Sequence, residues 1–431
     1  MLVNKVKQAI QEIQEVYLKN NKPFVIGYSG GKDSTAVAQL VMYALAKLPK
    51  SQLTIPLHIL SNDTLVENPT VAKYIDNQLA LIENVGKQRL FAHDPDLFHV
   101  VKVTPAIGDR FWLNMIGRGY VSPNRWFRWC TERLKINPTS EYIKKVTATG
   151  DAIVVLGSRK AESKNRAKTI EKYDLEAITG TKLQKHQLPG AWAYKPIADW
   201  TTQEVWQYLM SVPSFWGGDN KKLVAMYRNA SENADECPLV IDTTTASCGN
   251  SRFGCWVCTV VSRDKSMENL IENGEDWMLP LLEFRDYIAE LRNESDARFA
   301  KSRAGTDKRG GFLFSVRADL LKRVLEIEEA TGIEAIGKDE LAAIQLEWEH
   351  EGCFDYSVDA IYYSVKKKSL NMVSSKGRDF DLLSEVCAEN DVNPHHILEL
   401  IAIEKNNPSH LKRTNIFKDL EKKLGRFITE I

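Results

Sequence analysis

"VIGYSGGKDSTAV", residues 25–37, decides how the chain is read. An apolar run ending at Tyr28 leads into a turn with two glycines. From Thr35 onward, Val37, Leu40, Val41, Ala44 and Leu45 share one helical face. Strand, glycine turn and helix in that order make a place for an oxyanion. Glycine lets backbone N–H groups approach closely, and the helix start presents its positive end. Ser29, Gly30, Gly31, Lys32, Asp33 and Ser34 are therefore candidate nucleotide-binding residues, with Lys32 as a point charge and the serines as hydroxyl donors. The pattern G-x-x-x-x-G-K-[ST] does not fit, since Ile26 stands at its first glycine and Asp33 follows the lysine. The bland alternative is an ordinary glycine turn entering a helix.

Working outward, similar short apolar runs follow: "IPLHIL" (55–60), "FHVVKV" (98–103) and "AIVVLG" (152–157). Helical stretches over 69–85 and 137–146 lie between them, and an amphipathic helix carrying Val3, Val6, Ile10, Ile13 and Val16 precedes Pro23. Strands alternating with helices predict an α/β fold, a parallel sheet with helices on both faces. Ligands in such folds gather at the carboxyl ends of strands, so the turns after Tyr28, Leu60 and Leu156 are the places to search. From about Met267 the periodicity turns mainly helical. The expected organisation is a nucleotide-binding domain over 1–235, a cysteine-rich insertion over 236–265 and a helical C-terminal domain over 266–431.

Lysine plus arginine and aspartate plus glutamate both number 57, so any anion-binding surface must be local. No apolar run reaches the roughly 18–20 residues that cross a bilayer. The amino-terminal helix contains Glu12 and Glu15 and does not read as a secretory signal, which makes a cytoplasmic protein with no membrane partner the expectation. Four of the seven cysteines, Cys237, Cys248, Cys255 and Cys258, fall in one short block. Such clustering points to metal or redox chemistry. Only one C-x-x-C knuckle is present where a zinc ribbon pairs two, and irregular spacing beside Phe253 and Trp256 suits a shielded iron–sulfur cluster better; zinc and metal-free thiols stay open. Cys353 and Cys387 sit in helical patterns and read as buried thiols.

Cys130 stands apart in "RWFRWCTERLKINP", near Arg125, Arg128 and Arg133, which would lower its pKa if they surround it in space. It is a candidate nucleophile, sulfur carrier or further cluster ligand, or simply a small buried residue. Phe111, Trp112, Tyr120, Trp126, Phe127 and Trp129 alternate here with arginines, a pattern that suits nucleic acid as well as core packing. "DKRGG" (307–311) is a second candidate for phosphate contact.

The turn resembles the PP-loop, S-G-G-x-D-S, of the ATP pyrophosphatase superfamily, and three companions occur in the family's order. "SNDTLVENP" (61–69) resembles the D-T-x-x-x-E segment of its PAPS reductases and ATP sulfurylases. "GSRKAES" (157–163) resembles G-x-R-x-x-E-S, and "YKPIADWTTQEVWQYL" (194–209) resembles P-I-x-D-W-T-x-x-x-V-W-x-Y, where Asp199 or Thr201 would cap a helix. The resemblance implies a PP-loop adenine nucleotide α-hydrolase-like fold and a loop that holds the pyrophosphate of ATP while a substrate oxygen attacks the α-phosphorus. It implies Asp33 as a Mg2+ ligand, Asp63 and Gly157 beside the nucleotide, and Arg159 and Lys160 as oxyanion stabilisers. "CPLVIDTTTASCGNSRFGCWVCTVVSRDKSMENLI" (237–271) and "RWCTERLKI" (128–136) look most like the DndC-type DNA phosphorothioation sulfurtransferases and their SspD relatives.

That likeness implies a DNA-modification enzyme of restriction-modification systems that uses ATP to adenylate a backbone phosphate, so that sulfur replaces a non-bridging oxygen. It implies a [4Fe–4S] cluster on Cys237, Cys248, Cys255 and Cys258, a cysteine desulfurase as sulfur donor, other phosphorothioation proteins as partners, and Lys32, Asp33, Cys130, Arg159 and Lys160 as the catalytic set. Iron–sulfur PAPS or APS reductases are the first alternative. They carry a Cys-Cys pair and a late catalytic cysteine, whereas Trp129 stands beside Cys130 and no cysteine follows Cys387. A tRNA thiolase would use the same loop and a cluster. A DNA-binding scaffold would leave the loop without a purpose.

Overall fold

The computed structural model describes residues 2–148, 150–162, 182–229, 254–301, 309–370, 386–390, 392–393, 396–397, 400 and 420–425. The chain divides into two compact units, one of Met1–Phe111 with Ser122–Glu290, the other of Trp112–Val121 with Leu291–Ile431.

The first unit is built on a six-stranded sheet. Helix α1 (Leu2–Asn20) leads to β1 (Phe24–Gly27), α2 (Lys32–Ala46), β2 (Leu57–Asn62), α3 (Pro69–Val85) and β3 (Phe98–Val103). A short helix α4 (Trp129–Thr131) continues through a wide turn, Glu132–Ile136, into α5 (Asn137–Thr147). Then come β4 (Ala152–Val155), β5 (Gln184–Lys185) and β6 (Ala191–Tyr194). The strand order is β3-β2-β1-β4-β6-β5, all parallel except the two-residue edge strand β5.

Both faces of the sheet are buried, which is why its strands read as continuous apolar runs. Phe24, Ile26, Leu57, Ile59, Ile153 and Val155 pack against α1, α2 and α3 through Ile13, Tyr17, Val37, Leu40, Val41, Leu79 and Ile82. The intervening residues Val25, Leu60 and Val154 face the other way, onto Ile143 of α5. On this side His58 stacks on His99 with ring centroids 4.5 Å apart and meets the Tyr142 hydroxyl at 2.9 Å. Burial, then the neighbouring His99, push the His58 pKa down to about 4.

From β1 the chain winds outward through β2 to β3 and then returns to the other side of β1 as β4. The gap between the carboxyl ends of β1 and β4 is therefore a topological switch point, where such sheets bind ligands.

The second unit is helical among its described residues. Helices Phe314–Thr331, Lys338–His350 and Val358–Lys366 gather around the turn Leu113–Gly117. Trp112 Nε1 donates to the Ala335 carbonyl at 2.7 Å, Trp348 Nε1 to the Ile116 carbonyl at 2.9 Å, and buried Arg317 to the Gly117 carbonyl at 3.0 Å. Cys353 is buried, yet it lies in the turn beyond Lys338–His350, its N–H bonded to the Trp348 carbonyl, and outside any helix. Cys387 is buried in a short helical stretch. Among the described residues no helix is long and apolar enough to cross a membrane.

Candidate functional site

The loop after β1 sits at the switch point, and its shape follows from its glycines. Gly30 has φ +72, and a Cβ there would stand 2.6 Å from Ile75 Cγ1 on α3. Only glycine satisfies both constraints. Gly31 is the N-cap of α2 and supplies no side-chain cap, so the positive end of the helix is turned toward this loop. The Lys32 N–H donates to the Tyr227 hydroxyl at 3.1 Å, and the Lys32 ammonium lies 5.6 Å from the centre of the Tyr227 ring. Ser34 closes the turn: its hydroxyl donates to the Gly31 carbonyl at 3.1 Å, accepts from the Ser29 N–H at 3.2 Å and lies 3.1 Å from Ser29 Oγ.

Lys32, Asp33 and Arg159 are all buried, with Asp33 in contact with both cations. Asp33 Oδ1 accepts from Arg159 Nε at 2.6 Å, and its Oδ2 is 3.2 Å from Lys32 Nζ. Arg159 also donates to the Trp200 carbonyl at 3.2 Å and Thr202 Oγ1 at 3.3 Å. Both Asp33 oxygens are thus engaged by cations. Gly157 permits this closeness, since a Cβ there would stand 2.9 Å from the Asp33 carbonyl carbon and 3.0 Å from the Ser34 nitrogen.

Lys160 points elsewhere. Its ammonium pairs with Asp199 at 2.8 Å and borders a cleft of about 330 Å³ shared with Lys5, Lys182 and Lys195. The next helix, Thr202–Ser211, is capped by Thr201 in a reciprocal pair with Glu204. Asp63 serves its own loop: Oδ1 accepts from the Leu65 N–H at 2.8 Å, holding Leu65 at φ +63, and Oδ2 pairs with Lys102 at 3.2 Å.

That loop, which follows β2, carries the cysteine knuckle. The Asn68 N–H donates to the Gly254 carbonyl at 3.3 Å, the Trp256 N–H to the Val66 carbonyl at 3.0 Å, and Glu67 and Cys255 form an antiparallel bridge. Asn68 also caps α3 through its side chain, and the same helix presents Ile75 to Gly30. Cys255 and Cys258 lie on one tight turn, closed by a 2.9 Å bond from the Cys258 N–H to the Cys255 carbonyl. Buried Arg285 holds it from behind, donating to the carbonyls of Cys258 and Ser262 at 2.9 Å and to that of Val261.

Thr64 Oγ1 lies 3.3 Å from Cys255 Sγ and donates to Glu67 Oε1 at 3.0 Å; Lys135 faces Glu67 at 4.0 Å. Burial pushes the Cys255 thiol well above its ordinary range. The Glu67 carboxylate adds to that push, and Lys135 and the Thr64 hydroxyl oppose it. Two thiols on a tight turn, backed by buried Trp256, fit half the ligand set of a soft-metal cluster. Cys237 and Cys248 lie outside the described residues, and among the described residues no three metal-binding side chains converge.

Cys130 is half-buried on α4, and its segment is tied to the end of β2 by a 3.0 Å bond from Asn62 Nδ2 to the Leu134 carbonyl. Arg133 is drawn to Asp109 at 2.6 Å, and Arg125 is exposed. The aromatic series divides: Phe111, Trp112 and Trp129 are buried, Tyr120 is half-buried, and only Trp126 and Phe127 are exposed. The core therefore claims half of the rings that the sequence offers for nucleic-acid contact. Part of "DKRGG", residues 307–308, lies outside the described residues. Tyr227, Lys135 and Ile75 escape a reading of the sequence, since each enters the site from far along the chain or between motif positions; Thr64 lies in the quoted D-T segment, but its contact with Cys255 is 191 residues away.

Residues 23–260 match the model of the phosphoadenosine phosphosulfate reductase domain family. The match covers more than half of the chain, and the chain belongs to this family. Two proteins of Methanocaldococcus jannaschii, both described as uncharacterized, are similar. MJ0066 is 28% identical over 207 residues, covering 48% of this chain and 35% of the relative. MJ0973 is 26% identical over 206 residues, covering 47% and 40%. The matched part of the chain thus spans well under half the length of these curated relatives.

Proposed function

We propose that this phosphoadenosine phosphosulfate reductase-family protein adenylates a DNA backbone phosphate with ATP so that sulfur replaces a non-bridging oxygen. The observation that carries this reading is the joining of phosphate loop and cysteine knuckle through one loop and helix, with Asn68 on Gly254 at one end of α3 and Ile75 on Gly30 further along it. An anionic diester oxygen cannot leave by itself. Attack of that oxygen on the α-phosphorus releases pyrophosphate and turns it into part of a leaving group, AMP, which sulfur then displaces.

The α2 amino terminus and Lys32 bind the departing pyrophosphate, and Arg159 keeps Asp33 and the loop in place. Magnesium arrives with ATP. Cys255 and Cys258, with Cys237 and Cys248, would hold a [4Fe–4S] cluster, which when bound supplies electron or sulfur exchange. Cys130 carries sulfur received from a cysteine desulfurase as a persulfide, whose outer sulfur displaces AMP. A dithiol reductant then cleaves the S–S bond, freeing the phosphorothioate and the Cys130 thiol and itself becoming a disulfide. Other phosphorothioation proteins bring the DNA, and the work takes place in the cytoplasm. Lys160, paired with Asp199, faces the neighbouring lysine-lined cleft.

A second reading rests on the family match: reduction of a ready-made adenylyl sulfate bound in the same loop. One assay separates them. Pyrophosphate release from ATP by anaerobically purified protein is measured with and without DNA, beside Lys32→Ala. DNA-stimulated release that Lys32→Ala abolishes supports adenylation. Sulfite release from phosphoadenylyl sulfate with no DNA-dependent pyrophosphate would establish the reductase instead.

A further inference from the structure

The chain between Pro123 and Trp129 forms a turn that exposes one large ring almost completely. Trp126 is 88% exposed and its neighbour Phe127 46%. The turn is held in shape by reciprocal backbone bonds of 3.2 Å between Asn124 and Phe127. Asn124 Oδ1 also accepts from the N–H groups of Trp126 at 2.8 Å and Phe127 at 2.9 Å. A tryptophan pushed into water on a preformed turn contributes nothing to the core and loses little freedom on meeting a partner.

Both feet of the turn stand on cysteine-bearing segments. The Pro123 carbonyl accepts from buried Thr259 Oγ1 at 2.6 Å, one residue beyond Cys258. On the other side Trp129, adjacent to Cys130, stacks on Phe111 with centroids 5.3 Å apart. Arg125 and Arg128 flank the two rings in sequence, Arg125 exposed and Arg128 half-buried.

We infer that Trp126 is a stacking platform for one unpaired nucleotide of DNA, with Arg125 and Arg128 on its flanking phosphates. The inference rests on the DNA reading above and deepens it. A lone ring can stack only on a base whose face is open, which a paired and stacked duplex does not offer. Arginine beside the ring suits the phosphate attached to that base. The footing of the turn would bring this phosphate to the two cysteine-bearing segments.

The test is binding of a fluorescein-labelled single strand of about 16 nucleotides, and of the same sequence as duplex DNA and as RNA, to the full chain purified anaerobically. The expected result is preference for the DNA single strand over the duplex, at least about tenfold weaker binding by Trp126→Ala, and near wild-type binding by Trp126→Phe. Thermal midpoints and ATP binding should be unchanged in both variants. Wild-type binding that Trp126→Ala leaves intact would overturn the platform while the DNA reading stands. Trp126-dependent binding of RNA alone would overturn the choice of DNA. If wild type binds no DNA, both readings fall. Trp126-dependent retention on anionic phosphatidylglycerol vesicles, or Trp126-dependent self-association, would then reassign the ring to a membrane or a protein partner.

Discussion

Replacing Gly157 with alanine tests whether the loops after β1 and β4 form one site. The new Cβ would meet three backbone atoms at once: the Asp33 carbonyl carbon at 2.9 Å, its oxygen at 3.0 Å and the Ser34 nitrogen at 3.0 Å. Backbone at the start of a buried helix cannot rotate aside as a side chain can, so the two loops must part by a few tenths of an ångström. Overpacking of this kind costs about 1–3 kcal/mol. Lengthening the 2.6 Å Arg159–Asp33 bond adds part of the roughly 1.5–3 kcal/mol that a charged hydrogen bond contributes. A total near 3 kcal/mol corresponds to a fall in thermal midpoint of about 5 °C for a unit of about 280 residues. ATP affinity, read by calorimetric titration, should fall by about tenfold or more, because the widened loop no longer fits the phosphates. Gly217→Ala is the control. It has φ +76 but nothing within 4 Å of the added Cβ, so it costs about 1 kcal/mol of backbone strain and leaves ATP binding alone. A wild-type midpoint and wild-type ATP affinity in Gly157→Ala would mean that the loops after β1 and β4 do not form one closely packed site.

Three further outcomes are expected. Arg159→Lys keeps the charge but cannot reach Asp33, the Trp200 carbonyl and Thr202 together; urea unfolding should show a loss of about 2–3 kcal/mol. His58 and His186 are both lowered to about 4 by burial first and a neighbouring cation or histidine second, so the folded protein keeps them neutral while the unfolded chain protonates near 6.5. Their contribution is therefore complete above pH 6.5 and is lost as pH falls toward 4, by up to about 3 kcal/mol each, and urea midpoints measured from pH 7 to 4.5 should decline, less steeply in His58→Gln. Cys255→Ser and Cys258→Ser should each abolish bound iron and acid-labile sulfide; full iron content in either variant would remove the knuckle from the ligand set.

The α/β core is legible in the sequence because burial on both faces leaves an unbroken apolar record. The run 98–103 and the helix over 69–85 coincide with β3 and α3, the latter because Asn68 and Pro69 announce its start. The run 55–60 is displaced, with β2 spanning Leu57–Asn62 instead. Pro56 keeps the strand from beginning early, and pairing of Ser61 with Lys102 and of Asn62 with Val103 carries polar residues into the sheet. The phosphate loop is equally readable, since a strand, two glycines and a helix leave few other shapes.

Partners are another matter. Nothing local tells Trp112 from Trp126, yet one is bonded to a carbonyl 223 residues away and the other stands in water. Likewise, both oxygens of Asp33 are occupied by cations, one of them 126 residues distant, and no local pattern announces that.

The pairing of residues 66–68 with 254–256 also sets an order of events during synthesis. About 190 residues separate the two sides, and at roughly 5–20 residues per second the ribosome needs on the order of 10–40 s to supply the second after the first. Contacts of such separation form only once the intervening chain has closed. The Cys255–Cys258 turn thus has no docking place until β1, β2 and α3 are assembled, and no thiols arrive there before then. The knuckle therefore joins the loop after β2 late, once the strands and helices between them in the chain have been made.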